Sequence, residues 1–111
     1  MKVENTKAQM RKGILEYCIL TILSNKEAYP SEIISEMKEA KLIVVEGTLY
    51  PLLTRLKNAE LLHYKWVESV SGPPRKYYSL TEDGAKFLEE LKNTWTELHT
   101  AVQQISKTHQ K

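Results

Sequence analysis

Three histidines, one cysteine and 14 acidic residues are the groups with which this chain could do acid–base, nucleophilic or metal chemistry. Their spacing argues against all three. His63, His99 and His109 stand at no zinc-ligand spacing from one another or from Cys18. The chain has no glycine-rich phosphate loop, no G-x-S-x-G and no H-E-x-x-H. Glu89 and Glu90 are adjacent carboxylates, but they fall on the exposed side of an expected helix, where a solvated role suffices. No catalytic residue, metal site or cofactor is expected.

A different chemistry is better represented. Arg75 and Lys76 follow a Gly72-Pro73-Pro74 turn, a compact way to present two cations. Upstream, Leu49, Leu52, Leu53 and Leu56 recur at steps of three and four, so they share one helix face. The opposite side carries Gly47, Tyr50, Pro51, Thr54 and Asn58, flanked by Thr48 and Arg55. Small hydrogen-bonding groups beside a cation suit close approach to base edges and phosphates. Lys7, Arg11 and Lys12 add a basic cluster near the N-terminus. The formal net charge is only +2, so placement of charge carries this reading rather than its total.

These residues need elements to hold them. A helix is expected from about Thr6 to Ser24, with Met10, Ile14, Tyr17, Cys18 and Leu23 near helical spacing. A short second helix covers Ser31 to Ala40, with Pro30 tolerated at its start. Ile33, Ile34 and Met37 form its apolar stripe. The loop that follows contains Ile43-Val44-Val45, which could pair briefly as a strand. The third helix spans roughly Glu46 to Glu60. Leu62 to Ser69 alternates as a strand, with Leu62, Tyr64 and Trp66 on one side. Lys76 to Leu80 is a second strand by its aromatic content. The hairpin tip between them is too rich in proline for a tight two-residue turn. Thr81 caps a last helix running to about Ser106, with Glu82 and Asp83 favouring its positive end. There Leu88, Leu91, Trp95, Leu98, Val102 and Ile105 step by three and four, the seam of a helix that pairs with another helix.

Helix, helix, helix, hairpin, long helix is the order of a winged helix-turn-helix, a mainly α fold with a small β-hairpin (α+β). In that architecture the third helix enters the major groove and the hairpin wing reaches phosphates or an adjacent groove. Residues 1–80 are expected to form the DNA-binding domain, 81–106 a C-terminal dimerisation helix, and 107–111 a polar tail. No run reaches the ~18–20 apolar residues of a membrane span. The N-terminal residues lack the features of a signal peptide, and the lone Cys18 suits a reducing compartment. A cytoplasmic location is therefore expected.

Two stretches carry a resemblance. Glu46 to Leu56 (Glu-Gly-Thr-Leu-Tyr-Pro-Leu-Leu-Thr-Arg-Leu) resembles the third-helix signature of the PadR family of bacterial transcriptional regulators. Gly72 to Gly84 resembles the same family's wing and the start of its last helix. The likeness spans about Arg11 to Leu91. It departs from the family pattern at Ala28-Tyr29-Pro30-Ser31, where a Gly-Tyr pair is frequent. It departs again at Val45, where a Ser or Thr often stands. The resemblance implies a homodimer joined through the last helix and packed on the partner's first helix. It implies a palindromic double-stranded DNA operator, usually repressed. By position it assigns DNA contact to Thr48, Tyr50, Pro51, Thr54 and Arg55, and to Arg75 and Lys76 of the wing. Lys7, Arg11 and Lys12 are added as phosphate contacts. With a single C-terminal helix, the chain matches the short branch of the family.

Two readings of Trp66 and Trp95 stand side by side. Both could pack the core and the dimer interface. Alternatively they form an effector site, with Trp95 and its mate lining a central cavity for a planar hydrophobic compound. A rival to DNA binding also stands: a winged helix that serves only protein interaction. Such a module would shed the cations that Arg55, Arg75 and Lys76 supply here.

Overall fold

The computed structural model describes residues 1–42 and 44–110. Its elements are α1 (Val3–Asn25), α2 (Pro30–Glu39), α3 (Glu46–Asn58), β1 (Leu62–Ser69), β2 (Gly72–Leu80) and α4 (Glu82–Thr108). This is the expected winged helix-turn-helix order with a long final helix.

The core lies where three helix stripes meet the base of the hairpin. Ile19, Leu20, Ile33, Leu49, Leu53 and Leu62 are fully buried, joined by Leu15, Leu23, Met37, Leu56 and Tyr78. Leu49, Leu53 and Leu56 therefore anchor α3 by the face its spacing marked. In α1 the buried stripe is Leu15, Ile19, Leu20 and Leu23. Met10, expected to join it, is 74% exposed, because the first three turns of α1 run beyond the core. That helix also begins at Val3 rather than Thr6.

Both short helices end in a left-handed residue. Lys41 (φ 67°) follows α2 and Glu60 (φ 63°) follows α3. The Leu42 N–H then donates to the Met37 carbonyl at 2.9 Å, and the Leu61 N–H to the Leu56 carbonyl at 3.0 Å. These 6→1 bonds satisfy carbonyls that a helix end leaves orphaned. At the start of α2, the Tyr29 N–H donates to Glu32 Oε1 at 2.8 Å, half of a capping box.

Other features differ from expectation as well. The hairpin is closed by Val70-Ser71 alone, with Ser69 paired to Gly72, so β2 starts four residues before Lys76. Pro73 and Pro74 lie inside β2, not in the turn. They fit because the register slips between Val67 and Ser69, and a bulge tolerates missing donors. Neither turn residue has a positive φ, so the bulge also absorbs the twist that a primed turn would match. Val44 and Val45 form no strand, and Ile43 lies outside the described residues. The extra pairing partner is Ala28, which exchanges two backbone hydrogen bonds with Tyr78 at 3.0 and 2.9 Å. Finally, α4 continues to Thr108, two residues past Ser106.

The junction into α4 is tightly built. Thr81 Oγ1 accepts from the Gly84 N–H at 2.9 Å and itself donates to the Glu60 carbonyl at 2.8 Å. Gly84 is buried, and a Cβ there would collide with the Leu61 carbonyl oxygen. A helix capped and pressed against the α3–β1 corner leaves the head in a fixed direction. The first turns of α4 pack on α1, with Leu88 and Leu91 half-buried against the core. Beyond them Trp95, Leu98, Val102 and Ile105 are 41%, 56%, 61% and 63% exposed. An apolar stripe of that length facing water is unusual for a lone protomer.

Candidate nucleic-acid interface

The outward face of α3 is open. Thr48, Tyr50, Pro51, Thr54 and Arg55 are all exposed, while the leucines behind them are buried or half-buried. No other part of the described chain covers the Tyr50–Arg55 surface. Pro51 sits in the second turn of a helix that begins at Glu46 and runs on to Asn58. Its missing N–H removes one ladder bond, the one to the Gly47 carbonyl, a cost α3 carries without breaking. Val45 gives α3 no side-chain cap, as its replacement of a Ser or Thr implies.

The wing meets this face. A cleft of about 490 Å³ lies between the start of α2, α3 and β2. Tyr50 and Thr54 form one wall, Pro74, Arg75 and Lys76 the other, with Tyr29, Trp66 and Tyr78 between them. The cleft thus brings Tyr50 and Thr54 of α3 together with Arg75 and Lys76 of the wing, whereas Thr48, Pro51 and Arg55 are exposed on α3 but do not line it. Lys7, Arg11 and Lys12 are not among the cleft residues; they project from the exposed N-terminal turns of α1, with Lys7 3.9 Å from Glu4.

The cations divide by partner. Arg55 lies 3.4 Å from Glu16 of α1, and Lys65 lies 3.4 Å from Glu27. Arg75 and Lys76 have no carboxylate partner among the described residues. Instead the Arg75 guanidinium lies 3.9 Å from the centre of the Tyr29 ring. Lys76 Nζ lies 4.5 Å from the Tyr64 ring and 5.5 Å from that of Trp66. Tyr29 packs in turn on Tyr77 with ring centres 4.6 Å apart. Aromatic faces attract a cation without neutralising it. The wing therefore presents net positive charge to whatever enters the cleft.

Sequence reasoning did not find Tyr29 or Glu16. Tyr29 sits at a helix start and Glu16 within an apolar helix, and neither position signals a distant partner. Trp66, read as core packing or an effector wall, is 61% exposed and stands edge-on to Tyr64 at 6.0 Å. Trp95 lies elsewhere, against His99 on α4 with ring centres 5.4 Å apart. The two tryptophans thus belong to separate surroundings.

Two groups titrate away from their ordinary values. Burial pushes the Tyr78 phenol up, with Tyr64 and Tyr50 adding to the effect. Burial likewise pushes the Cys18 thiol up, which leaves it a poor nucleophile. Among the described residues no three His, Cys, Asp or Glu gather as a metal site, and no helix is long and apolar enough to cross a membrane.

Comparison with known proteins agrees with this geometry. The profile of the transcriptional regulator PadR-like family matches residues 19–90. A PadR-like transcription factor from Bacteroides fragilis is 63% identical, with 91% of this chain and 98% of that one covered and a TM-score of 0.78. A PadR family transcriptional regulator from Eggerthella lenta is 30% identical over 96% of this chain and 94% of its own, with a TM-score of 0.85. A PadR-like regulator from Bacillus cereus is 41% identical over 87% and 95%, with a TM-score of 0.77. With most of the winged domain matched, and with relatives that are regulators rather than enzymes, this chain belongs to the PadR-like family of transcriptional regulators.

Proposed function

We propose that the chain acts as a cytoplasmic homodimeric repressor that reads a palindromic operator with paired α3 helices and holds its phosphates with paired wings. Residues 1–80 serve as the DNA-binding head and residues 81–106 as the dimerisation helix. The observation that carries this reading is the shared surface of Tyr50, Thr54, Arg75 and Lys76 around one cleft, where the wing cations form no ion pair among the described residues although Glu46 also lines the cleft. In this reading Thr48, Tyr50, Thr54 and Arg55 face base edges and nearby phosphates, Pro51 packs closely, and Arg75 and Lys76 engage the backbone. Lys7, Arg11 and Lys12 add outer phosphate contacts.

Dimerisation is supported by the uncovered stripe of Trp95, Leu98, Val102 and Ile105 and by the exposed Val3 and Met10 of α1. A second protomer's α4 laid on these residues would bury both sets. Leu88 and Leu91 already contact their own core, so they form the inner edge of that interface. A planar hydrophobic effector between the two Trp95 side chains would release DNA if it favours a different spacing of the heads.

The reading is tested by fluorescence anisotropy on duplex carrying the promoter of the protein's own gene, across a salt series. Specific binding should weaken steeply as salt rises, because phosphate contacts release counterions. A protein that binds no duplex at low salt is instead a protein-interaction winged helix.

A further inference from the structure

We propose that Tyr29, at the start of α2, is a positioning residue that sets Arg75 of the wing for phosphate binding. This rests on the reading of Arg75 as a DNA contact. Arg75 is exposed at the lip of the cleft and has no carboxylate partner among the described residues. Its guanidinium lies 3.9 Å from the centre of the Tyr29 ring. That ring is itself fixed. The Tyr29 N–H donates to Glu32, and the Tyr77 ring packs on that of Tyr29 with centres 4.6 Å apart. The adjacent Ala28–Tyr78 bridge ties this segment of chain to β2.

The chemistry follows from the shape of the group. A guanidinium lying on an aromatic face is held by the ring quadrupole, while its N–H donors point outward in its own plane. Those edges are the ones that grip a phosphate through two parallel hydrogen bonds. The ring also restricts a flexible side chain before DNA arrives, so less freedom is lost on binding. The other paired cations behave differently: Arg55 and Lys65 each carry a carboxylate neighbour that competes with phosphate.

A double-mutant cycle on operator affinity tests this. Tyr29→Phe keeps the ring and should bind within twofold of the wild type. Tyr29→Ala should weaken binding about three- to fivefold, the scale of an exposed cation–π contact. In an Arg75→Ala background, Tyr29→Ala should cost nothing further. Thermal melting of each variant separates loss of folding from loss of the stack, and Tyr29→Leu supplies a bulkier apolar variant if Tyr29→Ala melts early. If Tyr29→Ala and Tyr29→Leu weaken binding equally with and without Arg75, or not at all, Tyr29 does not position Arg75. If Arg75→Ala itself leaves affinity and salt dependence unchanged, the DNA role of Arg75 fails and this proposal falls with it.

Discussion

The Arg55 guanidinium, on the outward face of the third helix, lies 3.4 Å from the Glu16 carboxylate of the first. Glu16 is largely covered, with a side chain 16% exposed, whereas Arg55 remains 66% exposed. One end of the pair is fixed in the body of the protein and the other reaches the outward surface of α3. Replacing Glu16 by Gln should cost under ~1 kcal/mol of stability, as expected for a pair with one solvated partner. It should also free Arg55 for phosphate and steepen the salt dependence of DNA binding by about one counterion. Denaturant titration and anisotropy across salt would check both. An unchanged salt slope would show that Arg55 does not reach phosphate even when unpaired.

The close approach at Gly84 makes a second prediction. A Cβ there would meet the Leu61 carbonyl oxygen and crowd Leu80, and backbone cannot step aside as a flexible side chain can. Gly84→Ala should destabilise by about 3 kcal/mol, the upper part of the range for overpacked sites. The melting temperature reads this directly. Gly47, with nothing near its would-be Cβ, supplies the control, and Gly47→Ala should fold normally.

The left-handed residues after α2 and α3 predict gains. Lys41 and Glu60 hold positive φ values that cost an L-residue about 1–2 kcal/mol. Glycine escapes that strain but loses more backbone freedom on folding. Lys41→Gly and Glu60→Gly should each stabilise by about 0.5–1 kcal/mol, visible as a higher urea midpoint with an unchanged slope.

Burial raises the Tyr78 phenol pKa, so the folded chain holds that proton more tightly than the unfolded chain does. Stability from this group is complete below the ordinary tyrosine value and is lost as pH rises through the higher folded one. The urea midpoint should therefore hold below the ordinary tyrosine value and drop as pH rises above it. Tyr78→Phe should show a smaller drop, since it removes the ionisation while keeping the ring. An equal drop in both proteins would assign the alkaline loss to other groups.

The exposed half of α4 predicts separation of assembly from folding. Leu98→Glu should give a monomer by analytical ultracentrifugation, with head stability little changed, because Leu98 is 56% exposed and lies outside the buried core of its own protomer. Operator affinity should fall sharply as the two heads lose their link.

Much of this organisation is legible in the residue pattern. The leucines of α3 repeat at helical spacing and are buried, and their opposite face is open. Thr81 caps α4 as its type and its acidic successors indicate. The misses have local physical causes. Helical spacing marks Met10 as apolar but not that α1 outruns the core at that point. Pro73 and Pro74 read as a turn because a proline seldom sits in a strand; the bulge beside them is a pairing property of two strands. Tyr29 with Arg75 and Glu16 with Arg55 are contacts between distant segments, set by how helices cross rather than by spacing along one. The extra pairing falls on Ala28 and not on Val44 or Val45, since a single bridge needs only backbone groups and little β-propensity.

Selection of bound sequences from a random duplex pool tests the central claim most directly. Two third helices on one face of DNA should enrich an inverted repeat, its half-sites about one helical turn apart, roughly 34–36 Å. Enrichment of a lone asymmetric site, or of nothing at all, would contradict the paired reading.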